Sequence, residues 1–514
     1  MASERAVPRT PLLEMRGISK RFGELQALDK VDLVVNEGEI HALVGENGAG
    51  KTTLMNILYG LYHPDAGTIS IRGKDAHITG PRDAIALGIG MIHQHFMLVP
   101  PLTVAQNVVL GDERGGPRLD TKAIEARVRQ LEEQFHIVVE PSATIEDIPL
   151  GLQQRVEIIK VLYRGSELLI FDEPTAVLTP QEVDELFEIV RTLRSEGKTL
   201  ILITHKLREV LAVTDRITVL RAGKNAAELV TKETNASAIA QAMVGRELHE
   251  IRPRQAMGTS PAILQISRLE ALSDRGTPAL RGVDLIVHEG EILGVAGVGG
   301  NGQSELAQCI LGLRPVTDGT ITVGSVDIAH DDPKRTRQRG VAYVPEDRRI
   351  EGLVLPFTVA DNFILGKQDH APYARRGILD GDAIARDGER LAKEFDVRPP
   401  NARAIVGTLS GGNQQKVVLG REISESPRLI VVSQPTRGLD IGSTEYVHER
   451  LLEQRARGCG ILLISSELDE IRALSDRIAV MYEGRIVATL SSAEASEQRL
   501  GLLMAGHSEG APVR

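Results

Sequence analysis

Short runs in which nearly every position is apolar recur along this chain: IHALVG at 40–45, ELLIFD at 167–172 and TLILIT at 199–204, each bounded by Gly or charged residues. Apolar runs without polar alternation read as strands buried on both faces, the state of a parallel sheet flanked by helices. Between them lie segments with helical spacing. In LDTKAIEARVRQLEEQF, 119–135, apolar residues recur three and four apart, which predicts a helix with Asp120 as its cap. The pattern as a whole predicts an α/β fold.

The pattern also repeats. EGEIHALVGENGAGKT, ending at Thr52, returns as EGEILGVAGVGGNGQS, ending at Ser304, an offset of 252 that also relates Gly67 to Gly319 and Gly88 to Gly340. Further on, ELLIFDEPT aligns with RLIVVSQPT and DRITVLRAGK with DRIAVMYEGR at an offset of 261, so the second copy holds nine more residues between these blocks. One copy spans about 240 residues, far beyond a solenoid unit. The expected layout is a tail at 1–10, one domain at 11–250, a linker at 251–262, a second domain at 263–507 and a tail at 508–514.

Composition narrows the function. A formal charge of −10 and a pI near 5.8 argue against a surface built to hold nucleic-acid phosphates. Cys309 and Cys459 lie far apart and form neither a disulfide framework nor a zinc spacing, which fits a reducing compartment. The first residues lack the apolar core of a signal peptide, and no apolar run is long enough to cross a membrane, so any membrane role is expected to be peripheral.

Candidate chemistry begins at Gly45-Glu46-Asn47-Gly48-Ala49-Gly50-Lys51-Thr52, a GxxxxGK[ST] string between a predicted strand and a predicted helix, with Thr53 following. Glycines let the backbone turn and aim N–H groups at phosphates, the helix N-terminus adds positive potential, Lys51 supplies a cation, and Thr52 can ligate Mg²⁺. The plain alternative is a Gly-rich turn with an incidental Lys. ELLIFDEPT ends a strand in Asp172-Glu173, one carboxylate to hold the Mg²⁺ shell and one to polarise an attacking water. An acidic pair after a strand is otherwise a strand end or helix cap. His205, ending the next apolar run, can contact the γ-phosphate, a role that rests on the set.

With these motifs in order, the sequence resembles the ATP-binding cassette family over nearly its whole length. The resemblance implies two tandem P-loop NTPase domains, each with a mainly parallel sheet core and a helical subdomain, using ATP and Mg²⁺. It places a glutamine loop at Gln94, which would join Thr52 and Asp172 at the metal, a signature segment around IPLGLQQRVE, and a switch histidine at His205. It also puts Phe22, in SKRFGE, where the family stacks an aromatic on adenine; an ordinary strand-edge aromatic is the alternative. The strings LMNILYGLYHPDAGTI, GMIHQHFMLVPPLTVAQNVVLG and YVPEDRRIEGLVLPFTVADN are similar to the nucleoside-uptake branch of the fused ATPase subunits of bacterial simple-sugar importers.

The copies are unequal. Between Gly297 and Gly302-Gln303-Ser304 the second phosphate loop keeps its glycines but has Gln303 for the lysine; its acidic pair is Ser433-Gln434, its glutamine-loop position is Glu346 and its switch position is Ser466. An amide can orient water but accepts no proton at neutral pH. The signatures show the reverse: the second copy has Leu409-Ser410-Gly411-Gly412-Asn413, the first Ile148-Pro149-Leu150-Gly151-Leu152. The resemblance implies that the cassettes pair, so that one complete site uses Lys51, Gln94, Asp172, Glu173 and His205 with Ser410 to Asn413. Asp440, with Thr179 as its counterpart, would belong to a segment that signals between cassettes.

The resemblance implies partners: two integral-membrane permease subunits and an extracytoplasmic solute-binding protein or lipoprotein, with this chain at the cytoplasmic face of the membrane and no nucleic acid bound. The competing expectations are a soluble tandem cassette acting on ribosomes or nucleic acid, and a nucleotide-gated regulator without transport. The nine extra residues fall between Glu346 and Leu409, in the helical subdomain, where they either reshape one permease groove or lengthen a surface loop around GKQDHAPYARRG.

Overall fold

The structure, a computed structural model, describes residues 11–93, 96–111, 120–175, 178, 180–204, 206–245, 260–504 and 506. The chain divides into two compact units, Met1–Leu248 and His249–Arg514. The three apolar runs are strands Ile40–Val44, Leu168–Asp172 and Thr199–Ile203, every residue of them buried. They lie in a six-stranded sheet ordered Lys224–Val230, Arg216–Arg221, Ile40–Val44, Thr199–Ile203, Leu168–Asp172, Ile89–Ile92, parallel except for the first pair. The second unit repeats this order with Arg485–Ser491, Arg477–Tyr482, Ile292–Ala296, Gly460–Ser465, Leu429–Ser433 and Val341–Val344.

Continuous apolar runs are needed because both faces of this sheet are covered. Leu168 and Ile170 pack into one core with Leu54, Leu58 and Leu13. Leu169 and Phe171, pointing the other way, pack with Leu186, Val190 and Val156. The first of these cores is roofed by a four-stranded antiparallel sheet, Leu25–Asn36, Pro11–Phe22, Ala66–Ile71 and Lys74–Asp75. Its strands alternate: Leu13, Met15, Leu33 and Val35 are buried while Glu14 and Arg16 are not. The second unit has the same sheet in Pro278–His288, Ala262–Leu272, Asp318–Val323 and Val326–Asp327. A mainly parallel core therefore stands, with an antiparallel layer added to it.

The helical segment of the first unit comprises Val104–Val109, Thr121–Phe135 and Leu150–Tyr163; that of the second comprises Val359–Phe363, Gly381–Glu394 and Gly411–Ile423. Asp120 caps its helix, accepting the Ala123 N–H at 3.1 Å. Matching caps locate eight of the nine extra residues. Thr103 and Thr358 both form capping boxes, an offset of 255, and Asp120 and Asp380 cap the next helices, an offset of 260. Three extra residues therefore precede Thr358, beside the turn Arg348–Gly352, and five precede Asp380, where the hairpin Ala374–Arg375 with Ile378–Leu379 lies. The helices that follow have 15 and 14 residues, so the insertion lengthens turns and not a helix. No helix among the described residues is long and apolar enough to cross a membrane.

Candidate nucleotide site

Three adjacent parallel strands deliver the candidate residues of the first unit to one edge of the sheet. Gly45 follows Ile40–Val44, Glu173 follows Leu168–Asp172, and Thr204 follows Thr199–Ile203, all at carboxyl ends, the edge where open α/β sheets bind ligands. Gln94, His205 and Thr179 lie outside the described residues.

The phosphate loop turns from strand into helix Lys51–Leu58 with Gly50 as N-cap, at φ 102°. Only glycine fits there: a Cβ on Gly50 would meet Leu28 Cδ2 at 2.6 Å and the Ala27 carbonyl oxygen at 2.9 Å, and one on Gly45 would meet the Leu220 carbonyl oxygen at 2.3 Å. Ala49 N–H donates to the Glu46 oxygen at 3.1 Å, and Asn47 and Gly48 are exposed at the tip. The Lys51 ammonium folds back under the loop and donates to the Gly45 and Glu46 carbonyl oxygens at 2.7 and 2.9 Å. Thr52 is exposed and Thr53 half-buried at the helix start.

Asp172 is buried at 6% exposure. Its carboxyl is pushed up to about 6, first by burial and then by the neighbouring Glu173 charge, with Lys51 pulling it back. Two crowded carboxylates beside one lysine form a site that a divalent cation would relieve, and a Thr hydroxyl, an Asp and nucleotide phosphates are the donors Mg²⁺ favours. Glu173 takes φ 47°, in the left-handed region, and its N–H donates to the Ile203 carbonyl oxygen at 2.9 Å. A non-glycine residue held there costs energy that the surrounding structure must supply, a pattern common at functional sites. Phe22 is exposed at the end of its strand and meets Tyr62 edge-on, ring centroids 5.2 Å apart at 72°, with Lys20 Nζ 5.6 Å from its centroid. Tyr62 was not singled out by the sequence.

The second unit keeps this scaffold. Gly302 caps helix Gln303–Ile310 at φ 107°, and Gln434 takes φ 46° with its N–H on the Ile464 oxygen at 2.8 Å. Its side chains satisfy each other. Gln303 Nε2 donates to the Val298 oxygen at 3.1 Å, Ser466 Oγ and N–H donate to Gln434 Oε1 at 3.1 and 3.2 Å, and Glu346 pairs with Arg437. Ser433 is buried and Ser304 exposed. At the end of the matching strand Ser273 bonds to Thr277 as Phe22 pairs with Leu25, and the counterpart of Tyr62 is Arg314, which forms an ion pair with Asp274 at 2.6 Å. That ion pair offers no ring for a base.

A sequence profile of the ABC transporter family matches residues 28–176 and 280–437, one match in each unit. This chain belongs to the ABC transporter family. It is 47% identical to a nucleoside import ATP-binding protein, NupA, of Lactococcus lactis subsp. cremoris, over 96% of this chain and 98% of that one. It is 46% identical to a guanosine import ATP-binding protein, NupO, of Bacillus subtilis, over 97% and 98%. A ribose import ATP-binding protein of Rubrobacter xylanophilus is 41% identical over 96% and 98%. ATP is the nucleotide of this ABC protein, which is an ATPase.

The signature segments of the two ABC units also differ. In the second, Ser410 is the exposed N-cap of helix Gly411–Ile423, and its hydroxyl accepts Asn413 Nδ2 at 3.0 Å instead of capping the helix backbone. Gly412 is packed so tightly that a Cβ would meet Ser443 Oγ at 2.1 Å, and Asp440 caps the next helix through the Ser443 N–H at 2.8 Å. In the first unit Pro149 stands at the cap, with no side-chain donor or acceptor to offer.

Proposed function

We propose that this chain is the ATP-hydrolysing subunit of an importer for nucleosides. It works at the cytoplasmic face of the membrane with two integral-membrane permease subunits and an extracytoplasmic solute-binding protein. The observation that carries the reading is the inequality of the two units: Lys51, Asp172 and Glu173 gather at one sheet edge in the first, while Gln303, Ser433 and Gln434 stand there in the second. Nucleosides are favoured over sugars because the relatives named for nucleoside and guanosine import share more identity than the one named for ribose.

In this reading the loop 45–50 and Lys51 bind the phosphates, Phe22 stacks on adenine, and Thr52, Gln94 and Asp172 hold Mg²⁺, which supplies charge neutralisation on the phosphates. Glu173 takes the proton of the attacking water, and His205 contacts the γ-phosphate. Ser410, Gly411, Gly412 and Asn413 complete the phosphate contacts, a role supported by the intact serine and glycines of that segment and by the proline in its counterpart. The second unit binds nucleotide weakly or not at all and does not hydrolyse it. Uptake of radiolabelled guanosine by cells carrying the chain with its permeases tests this. Uptake should be competed by other nucleosides and abolished by Glu173→Gln and by Ser410→Arg. Competition by ribose alone would overturn the cargo, and undiminished uptake in both variants would overturn the ATPase role.

A further inference from the structure

Glu209, on the short helix Leu207–Val213, is 5% exposed and stands apart from the phosphate loop in sequence. One of its carboxylate oxygens accepts the Thr175 hydroxyl, and the other accepts the Thr204 hydroxyl at 2.8 Å. Thr175 lies two residues beyond Glu173, and Thr204 immediately precedes His205. Thr204 Oγ1 also accepts the Lys206 N–H at 3.0 Å, so this one hydroxyl ties the residues on either side of position 205. Lys206 Nζ closes the ring, reaching the Thr175 carbonyl oxygen at 3.3 Å and Glu209 at 3.6 Å. Two loops leaving neighbouring strands are thereby joined through a single buried carboxylate.

The second unit holds the same carboxylate in a different arrangement. Glu470 uses one oxygen for both the Thr436 hydroxyl at 2.8 Å and His448 Nε2 at 3.1 Å. Its other oxygen is buried with no hydrogen-bond partner among the described residues. Ser465, the counterpart of Thr204, still accepts a backbone N–H, from Glu467 at 3.1 Å, but no bond joins it to Glu470. His448 occupies the position that is Phe187 in the first unit. The two-loop tie is complete in the unit that keeps the acidic pair and broken in the unit that lost it.

We propose that Glu209 is a positioning residue for hydrolysis: it staples the loop carrying Glu173 to the loop carrying His205 so that base and γ-phosphate contact keep one spacing. A carboxylate suits the task because it accepts from two hydroxyls at once and needs to donate to neither. The inference rests on the reading of Glu173 as the base. A misplacement of catalytic groups costs rate more than it costs binding.

Thr204→Val, nearly isosteric, removes the hydroxyl alone. In the full-length chain it should lower kcat roughly tenfold, the loss of about one hydrogen bond's worth of positioning, while ATP affinity and Tm stay near wild type. Thr204→Ser should restore the rate. Glu209→Ala should act in the same direction, and adding Thr204→Val to it should cost little more, because both remove one tie. Wild-type kcat in Thr204→Val, additive losses in the double variant, or a fall of affinity and Tm in step with kcat would each overturn the staple. Glu173→Gln run alongside separates the two failures: full activity there overturns the base reading, whereas loss there with an active Thr204→Val overturns only the staple.

Discussion

The two units share a backbone and differ in what hangs from it. Gly50 and Gly302 cap their helices at φ 102° and 107°, and Glu173 and Gln434 sit at φ 47° and 46°. The left-handed turn after strands Leu168–Asp172 and Leu429–Ser433 is thus retained where no carboxylate needs aiming. Its cause in both units is a backbone bond, from Glu173 to Ile203 and from Gln434 to Ile464, which belongs to the sheet edge. What distinguishes the units is where side-chain polarity is spent. In the first, Asp172 and Glu173 crowd each other beside Lys51. In the second, Gln434 with Ser466, Glu346 with Arg437 and Asp274 with Arg314 are paired internally. In the second unit these polar groups have turned to one another.

The most direct way to break this comparison is at the base. Glu173→Gln makes the first unit resemble the second at one atom pair, and turnover should fall by about 10²–10⁴ while ATP binding persists; steady-state ATPase and equilibrium binding measured together decide it. Activity within tenfold of wild type would remove Glu173 from that role.

A smaller effect separates the units by pH. The Asp172 carboxyl titrates at about 6, above its ordinary value, so the folded chain holds a proton there more tightly than the unfolded one. Stability from this group is therefore greatest at low pH and declines as pH rises from the ordinary carboxylate range through about 6. Mg²⁺ competes with that proton. Mg²⁺-dependent ATP binding, followed by calorimetry, should weaken roughly tenfold between pH 7 and pH 5, the ionised fraction of one group with that midpoint. Asp172→Asn should raise Tm at pH 8 without Mg²⁺ and change it little at pH 5. A flat pH profile would sever Asp172 from the metal.

The smallest expected effect sharpens the comparison at the base-stacking end. Phe22→Ala should weaken ATP binding about fivefold and Tyr62→Ala less, as expected for one aromatic contact and its edge support. Asp274→Ala, beside the matching strand end in the second unit, should leave ATP affinity unchanged; a loss equal to that of Phe22→Ala would show the second unit engaging adenine.

The parallel strands, the phosphate loop, Asp120 as a cap and the duplication were legible because each is local, carried by a run of a few residues or by direct comparison of two strings. The antiparallel layer was not, because Pro11–Phe22 pairs with both Leu25–Asn36 and Ala66–Ile71, and alternation in the first two does not reveal the third. Tyr62 and Glu209 were invisible for the same reason: their partners Phe22 and Thr175 are neighbours only in space. The counterpart of Phe22 was not readable from the offset of 252, because the strand register through Pro11–Phe22 is shifted by one residue from it and leads to Ser273. The total of nine extra residues was legible, but its division needed the caps at Thr358 and Asp380.

Lys51 draws its own loop together through the Gly45 and Glu46 carbonyls, and Gln303 keeps one of those two ties, to Val298. The cradle is therefore shaped during folding and not by its guest. Entropy that a floppy glycine loop would surrender on meeting a triphosphate has already been surrendered. In the proposed reading, capture by the first unit is a matter of exchange, with the lysine releasing two carbonyls as it takes up phosphate oxygens, and the heat of binding should report that exchange far more than any ordering of the chain.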